Sequence, residues 1–154
     1  DHRDLHSFPT RRSSDLEATA NAFTEDGWLK TGDLGIMDAD GNIFIRGRSK
    51  NMILGPSGQN IYPEEIEAVV NNQDYVVESV VVDRGGKLVA LVYLDEQAIA
   101  KALLDDEAKD GIPENIRLAS NRQLPVYSQL AKVEIQPVPF EKTPRMSIRR
   151  FLYK

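Results

Sequence analysis

The sequence predicts an α+β domain whose strands pair as hairpins, beginning near Asn51 and preceded by a separate β-hairpin. Three observations carry this. Two pairs of apolar runs flank tight turn clusters, at 34–45 and at 75–94. Segments with helical spacing of apolar residues are interleaved with those runs. The chain has 154 residues, 41% apolar and 28% charged, which suits about one soluble globular domain with a modest core.

The elements follow in order. Glu17 to Phe23 has no strong pattern, and Asp26-Gly27 signals a turn. Leu34 to Met37 and Ile43 to Ile45 flank Asp38-Ala39-Asp40-Gly41-Asn42 and read as a hairpin. The D-x-D-G element is read as its turn, because a calcium loop of the EF-hand type needs flanking helices and a later glycine. Met52-Ile53-Leu54 is a short strand, and Gly55 to Asn60 a loop. That loop is Gly-rich but lacks a terminal Gly-Lys-[Ser/Thr], so it is not a P-loop. Tyr62-Pro63-Glu64-Glu65 opens a helix. Proline suits the first helical position and carboxylates complement the positive end, and Ile66, Val69 and Val70 form the apolar stripe. Tyr75 to Val82 and Leu88 to Leu94 form a second hairpin around Arg84-Gly85-Gly86-Lys87. Ala98, Ile99, Ala102 and Leu103 have helical spacing, and Pro113 starts a helix carrying Ile116, Leu118 and Leu124. Ala131 to Val138 is extended, Val133 and Ile135 alternating with Lys132, Glu134 and Gln136.

Composition narrows the chemistry. No apolar run approaches the roughly 20 residues of a membrane span. There are no cysteines, which removes disulfides and thiolate chemistry and fits a reducing cytoplasm. A net charge of −5 argues against general nucleic-acid binding. Residues 6–16, His6-Ser7-Phe8-Pro9-Thr10-Arg11-Arg12-Ser13-Ser14-Asp15-Leu16, resemble the in-frame translation of a sequencing adapter, so 1–16 is read as non-native, the alternative being a native disordered extension. Both histidines, His2 and His6, lie there. Without them a Ser-His-Asp triad or an ordinary zinc site is excluded, and no metal site is expected.

Several segments then occur in a telling order: Gly27-Trp28-Leu29-Lys30-Thr31-Gly32-Asp33-Leu34-Gly35; Gly47-Arg48-Ser49-Lys50-Asn51-Met52-Ile53; Gly58-Gln59-Asn60-Ile61-Tyr62-Pro63-Glu64-Glu65-Ile66-Glu67; and Phe140-Glu141-Lys142-Thr143-Pro144 through Arg150. Together they resemble the C-terminal portion of acyl-adenylate-forming (AMP-binding) enzymes, with an ending most like long-chain fatty acid CoA ligases. The resemblance implies the following organisation: 17–47 the end of a large AMP-binding domain, 48–50 a hinge, and 51–154 the small C-terminal domain.

It also implies roles. Asp33 matches an aspartate that accepts hydrogen bonds from both ribose hydroxyls of ATP, a task suited to two carboxylate oxygens; taken alone it reads as a turn aspartate. Arg48 matches an arginine reaching ribose and phosphate, for which a fixed guanidinium fork is apt; alone it reads as a surface ion pair. Lys50 matches the hinge, where backbone freedom matters more than charge, and otherwise is a plain surface lysine. Ser57 and Gly58 lie in the loop that lines the pantetheine tunnel.

One position departs from the pattern. The family places a lysine shortly after Thr-Pro, where its ammonium meets the α-phosphate and the attacking carboxylate. Here Ser147 stands at that position and Met146 where glycine is common. Arg145 is a candidate substitute, being on the same face as Ser147 if the segment is extended. Lys142 is another, reaching in from the preceding turn; the third alternative is an impaired first half-reaction. A substitute cation is the favoured expectation. The basic end, with Arg145, Arg149, Arg150 and Lys154, is otherwise open to reading as a nucleic-acid or membrane patch or as a solvated terminus.

The expectation is therefore a fragment, inactive alone, of an ATP-dependent, AMP-forming ligase that activates a fatty acid as acyl-AMP and passes it to coenzyme A. ATP, Mg2+ and CoA are the implied cofactors, bound mainly through the large domain. Peripheral membrane association of the full enzyme is one option, and no nucleic acid is expected. The alternatives are an adenylation domain serving a carrier protein and a freestanding binding module.

Overall fold

The computed structural model describes residues 16–153. The segment expected to be non-native thus lies outside the described residues, save for Leu16. Contacts divide the chain into two compact units, Asp1–Asp33 and Leu34–Lys154. In the first, helix α1 (Leu16–Asn21) leads to a bridge between Phe23 and Leu29. That bridge closes over the expected turn: Gly27 N–H donates to Thr24 O at 3.0 Å, and Gly27 takes a φ of 87° that its missing Cβ permits.

Strands β1 (Asp33–Met37) and β2 (Ile43–Arg48) pair as the first hairpin. Asp38 builds its turn. Its Oδ1 accepts from the N–H groups of Asp40 and Asn42 at 3.0 and 2.8 Å, and its Oδ2 from Asn42 Nδ2 at 2.9 Å. The Asn42 side chain, with the backbone donors, holds the Asp38 carboxyl below its usual value. A short hairpin, β3 (Ile53–Leu54) and β4 (Asn60–Ile61), then precedes helix α2 (Pro63–Val70).

The main sheet contains β5 (Val76–Asp83), β6 (Leu88–Leu94) and β7 (Lys132–Ile135), in the order β5-β6-β7. The first two form the expected antiparallel hairpin. β7 instead runs parallel to β6, Val89 opposite Lys132 and Val92 opposite Ile135. Hairpin pairing therefore does not extend to every strand, because a parallel partner needs a crossover. α3 (Glu96–Lys101), α4 (Asp106–Asp110) and α5 (Ile112–Asn121) supply it.

Both faces of this sheet are covered. Ile66 and Val70 of α2 and Ile112 and Ile116 of α5 pack with Val81, Ala90, Val92 and Val133 on one face. Val80, Val82, Val89 and Leu91 meet Phe140, Ile148 and Tyr153 on the other. A central strand buried twice needs apolar residues at every position, hence the unbroken Leu-Val-Ala-Leu-Val-Tyr-Leu of β6. Each buried Leu or Val of that strand contributes about 1.5–3 kcal/mol.

Two expected stripe residues lie elsewhere. α3 stops at Lys101, and Leu103 adopts φ 51° just beyond the cap, leaving it 90% exposed. Leu118 is on the outer face of α5, whose buried stripe is Ile112, Ile116 and Ser120 at steps of four. Leu124 is buried but follows the helix. Helix α4 is an addition to the expected elements; Asp105 caps it by accepting from Ala108 N–H at 2.8 Å.

Candidate functional site

The turn after β2 is where the second unit gathers polar groups. Asn51 and Met52 both donate their N–H groups to Arg48 O, at 3.0 and 3.2 Å, so Arg48 and Lys50 flank a tight bend with exposed side chains. Asn51 Nδ2 reaches across to Glu64 Oε1 in the first turn of α2, at 2.6 Å. Glu64 Oε2 is buried with no hydrogen-bond partner, and it lies over Gly47: a Cβ there would sit 2.7 Å from it. A side chain at 47 would thus displace the Glu64 carboxylate.

One helical turn on, Glu67 is the anchor for the C-terminal segment. Arg150 Nη1 donates to Glu67 Oε1 at 2.6 Å and Nη2 donates to Oε2. Glu67 Oε1 also accepts Val81 N–H at 2.7 Å. Burial pushes the Glu67 carboxyl above its ordinary value, against the pull of Arg150 and Val81 N–H. Arg150 is therefore an interior ion-pair partner, not part of a solvated basic end. The spacing of Glu64 and Glu67 by three put both on one face of α2, a signal the sequence offered.

Residues 140–149 form a hairpin rather than an extended run. Met146 N–H closes a β-turn on Thr143 O at 2.9 Å, Thr143 N–H donates to Ser147 O at 2.8 Å, and Lys142 bridges Ile148. This corrects the premise behind Arg145: the chain reverses at Pro144-Arg145, so Arg145 is at the tip and does not share a strand face with Ser147. Lys142 is also engaged elsewhere, its Nζ 2.7 Å from Glu78 Oε2.

Between the 48–51 turn and this hairpin lies a cleft of about 710 Å³, lined by Arg48, Lys50, Asn51, Glu64, Thr143, Ser147, Arg149 and Arg150 among others. The structure therefore brings together Arg48, Lys50 and Ser147 of the sequence candidates. Ser57 lines a separate groove of about 330 Å³ between the β3–β4 hairpin and the 126–131 segment. Gly58 serves the hairpin turn, with φ 82° and its N–H on Gly55 O at 2.9 Å. Asp33 belongs to the first unit, exposed, its N–H donating to Thr31 Oγ1 at 3.2 Å.

A two-sided α+β lobe with a C-terminal hairpin beside a cationic bend defines a class: the small lobe of adenylate-forming enzymes. Residues 50–153 match the family model described as the AMP-binding enzyme C-terminal domain, and the chain belongs to that family. A long-chain-fatty-acid–CoA ligase of Mycobacterium tuberculosis is 34% identical over 87% of this chain and 26% of its own length. A sulfoacetate–CoA ligase of Cupriavidus necator is 42% identical over 53% of this chain and 17% of its own. Among solved structures, ATP-bound MatB from Rhodopseudomonas palustris superposes with a TM-score of 0.68 at 27% identity, over 90% of this chain and 26% of that one. The chain thus spans about a quarter or less of the length of these relatives.

Proposed function

We propose that this chain is the C-terminal lobe of an ATP-dependent, AMP-forming acyl-CoA ligase acting on a fatty acid. The observation that carries the reading is the cleft that collects Arg48, Lys50, Thr143 and Ser147 beside the bend at 48–51. A polyphosphate needs fixed cations and hydroxyl donors, and this cleft offers both. Likeness to a long-chain-fatty-acid–CoA ligase over most of the chain supports the fatty acid as substrate class.

In this reading the ribose of ATP is held by Asp33, its phosphates by Arg48, and the bend at Lys50 is the hinge on which the lobe turns between the two half-reactions. The first joins carboxylate and ATP as acyl-AMP with release of pyrophosphate; the second transfers the acyl group to the thiol of coenzyme A. The groove lined by Ser57 is the path assigned to the pantetheine arm. Among the described residues no three carboxylate or imidazole groups converge to hold Mg2+, so no step is assigned to that ion here. In this reading the acyl and adenine pockets belong to the large domain. The test is acyl-dependent ATP–pyrophosphate exchange. The purified 154-residue chain should show none and the full-length protein should show it best with long-chain fatty acids. Robust exchange by the isolated chain overturns the reading.

A further inference from the structure

Adenylation brings a carboxylate against a phosphate. The carboxylate oxygen bonds to the α-phosphorus, the bond from that phosphorus to the bridging oxygen breaks, and pyrophosphate leaves with the electron pair; no proton moves. Two anions meet, so a cation positioned between them lowers the barrier, and Ser147 carries no charge. Resting on the ligase reading above, we propose that Arg149 supplies that charge.

The geometry points to it by the state of each basic side chain in the C-terminal hairpin. Lys142 is tied to Glu78 at 2.7 Å. Arg150 is committed to Glu67 through both terminal nitrogens. Arg145 is at the reversed tip and is not among the residues lining the cleft. Arg149 differs on every count. Burial alternates along Ser147-Ile148-Arg149: all three border the cleft, but Ile148 is half-buried against the sheet with Tyr153, while Ser147 and Arg149 are exposed. Its backbone N–H is fixed on Glu141 O at 2.9 Å, which anchors the strand. Its guanidinium is 43% exposed and only 3.9 Å from its nearest carboxylate, Glu141, a loose contact that a ligand phosphate can outcompete. A guanidinium can also bridge two anions at once, one on each pair of N–H donors, which suits this step.

The test uses the full-length protein, with exchange reporting the first half-reaction and thioester formation from supplied acyl-adenylate reporting the second. Arg149→Ala should lower exchange kcat by about 100-fold, the loss typical of removing one charge-stabilising donor. Thioester formation should stay near wild type. Arg149→Lys should keep most exchange, and Ser147→Lys added to Arg149→Ala should restore it, since the charge returns two residues away on the same face. The melting temperature should not change. Exchange at the wild-type rate in Arg149→Ala overturns the inference alone. Equal loss of both half-reactions, unrelieved by either lysine, marks a structural role and overturns it too. No exchange by the wild type with any acid sinks the ligase reading, and this inference falls with it.

Discussion

Met146 shows what a single backbone angle costs. It takes φ 61° as the closing residue of the Thr143–Met146 turn, a conformation in which a Cβ crowds the neighbouring carbonyl. Its side chain is exposed, so no packing offsets the strain. Met146→Gly should stabilise the chain by about 0.5–1 kcal/mol, the relief of strain exceeding the entropy that glycine adds to the unfolded state. Urea denaturation reads this directly; a loss of stability would show that Met146 makes contacts worth more than its strain. Thr143-Pro144 is a bend signal that the reading of an extended segment passed over. The register was not legible at all. Whether Arg145 or Arg149 shares a face with Ser147 depends on where the chain reverses, and that is set by hydrogen bonds between Thr143 and Ser147.

The ion pair between Arg150 and Glu67 joins two elements 83 residues apart in sequence, α2 and the C-terminal hairpin. Removing one partner of a buried pair leaves the other uncompensated, so Arg150→Ala should cost about 3–5 kcal/mol near neutral pH. The sign of its pH dependence follows from Glu67. Burial already raises that carboxyl above its ordinary 4.5, and without Arg150 it rises further. A raised acid stabilises the fold fully below 4.5 and loses that contribution as pH climbs through the folded value. Arg150→Ala should therefore recover stability as pH is lowered towards 5, over a wider window than the wild type. Thermal melts across pH measure it, and a parallel displacement of the two curves would count against the account. Sequence reading placed Glu67 in a motif and Arg150 in a basic tail; the pairing was beyond it, because local spacing carries no information across so long a separation.

At the scale of the molecule, the main sheet is covered on both faces while the first hairpin is not. Ile36, Met37, Ile43, Phe44 and Ile45 are all exposed, an apolar surface unusual for a free-standing piece. Domain organisation by sequence assigned residues 17–47 to the edge of a larger domain; within this chain residues 34–47 fall in the unit Leu34–Lys154, where Arg46 Nη1 meets Glu65 Oε1 at 2.7 Å. If the exposed patch belongs against a larger domain, the 154-residue chain should bind a hydrophobic dye, and Ile43→Thr with Ile45→Thr should reduce that binding sharply with little change in melting temperature. Undiminished dye binding would place the exposed surface elsewhere.

The hairpins at 34–45 and 75–94, the helices opening at Pro63 and near Pro113, and the Asp38–Asn42 and Arg84–Lys87 turns were set by local chemistry: glycines, prolines, turn acids and runs of β-branched residues act within a few positions. The parallel docking of β7, the commitment of Arg150 to Glu67, the tie of Lys142 to Glu78 and the reversal that carries Arg145 away from Ser147 were decided only by the tertiary structure. Each of these depends on which distant surfaces meet, and a side chain's charge is available for chemistry only after those meetings have used up the rest.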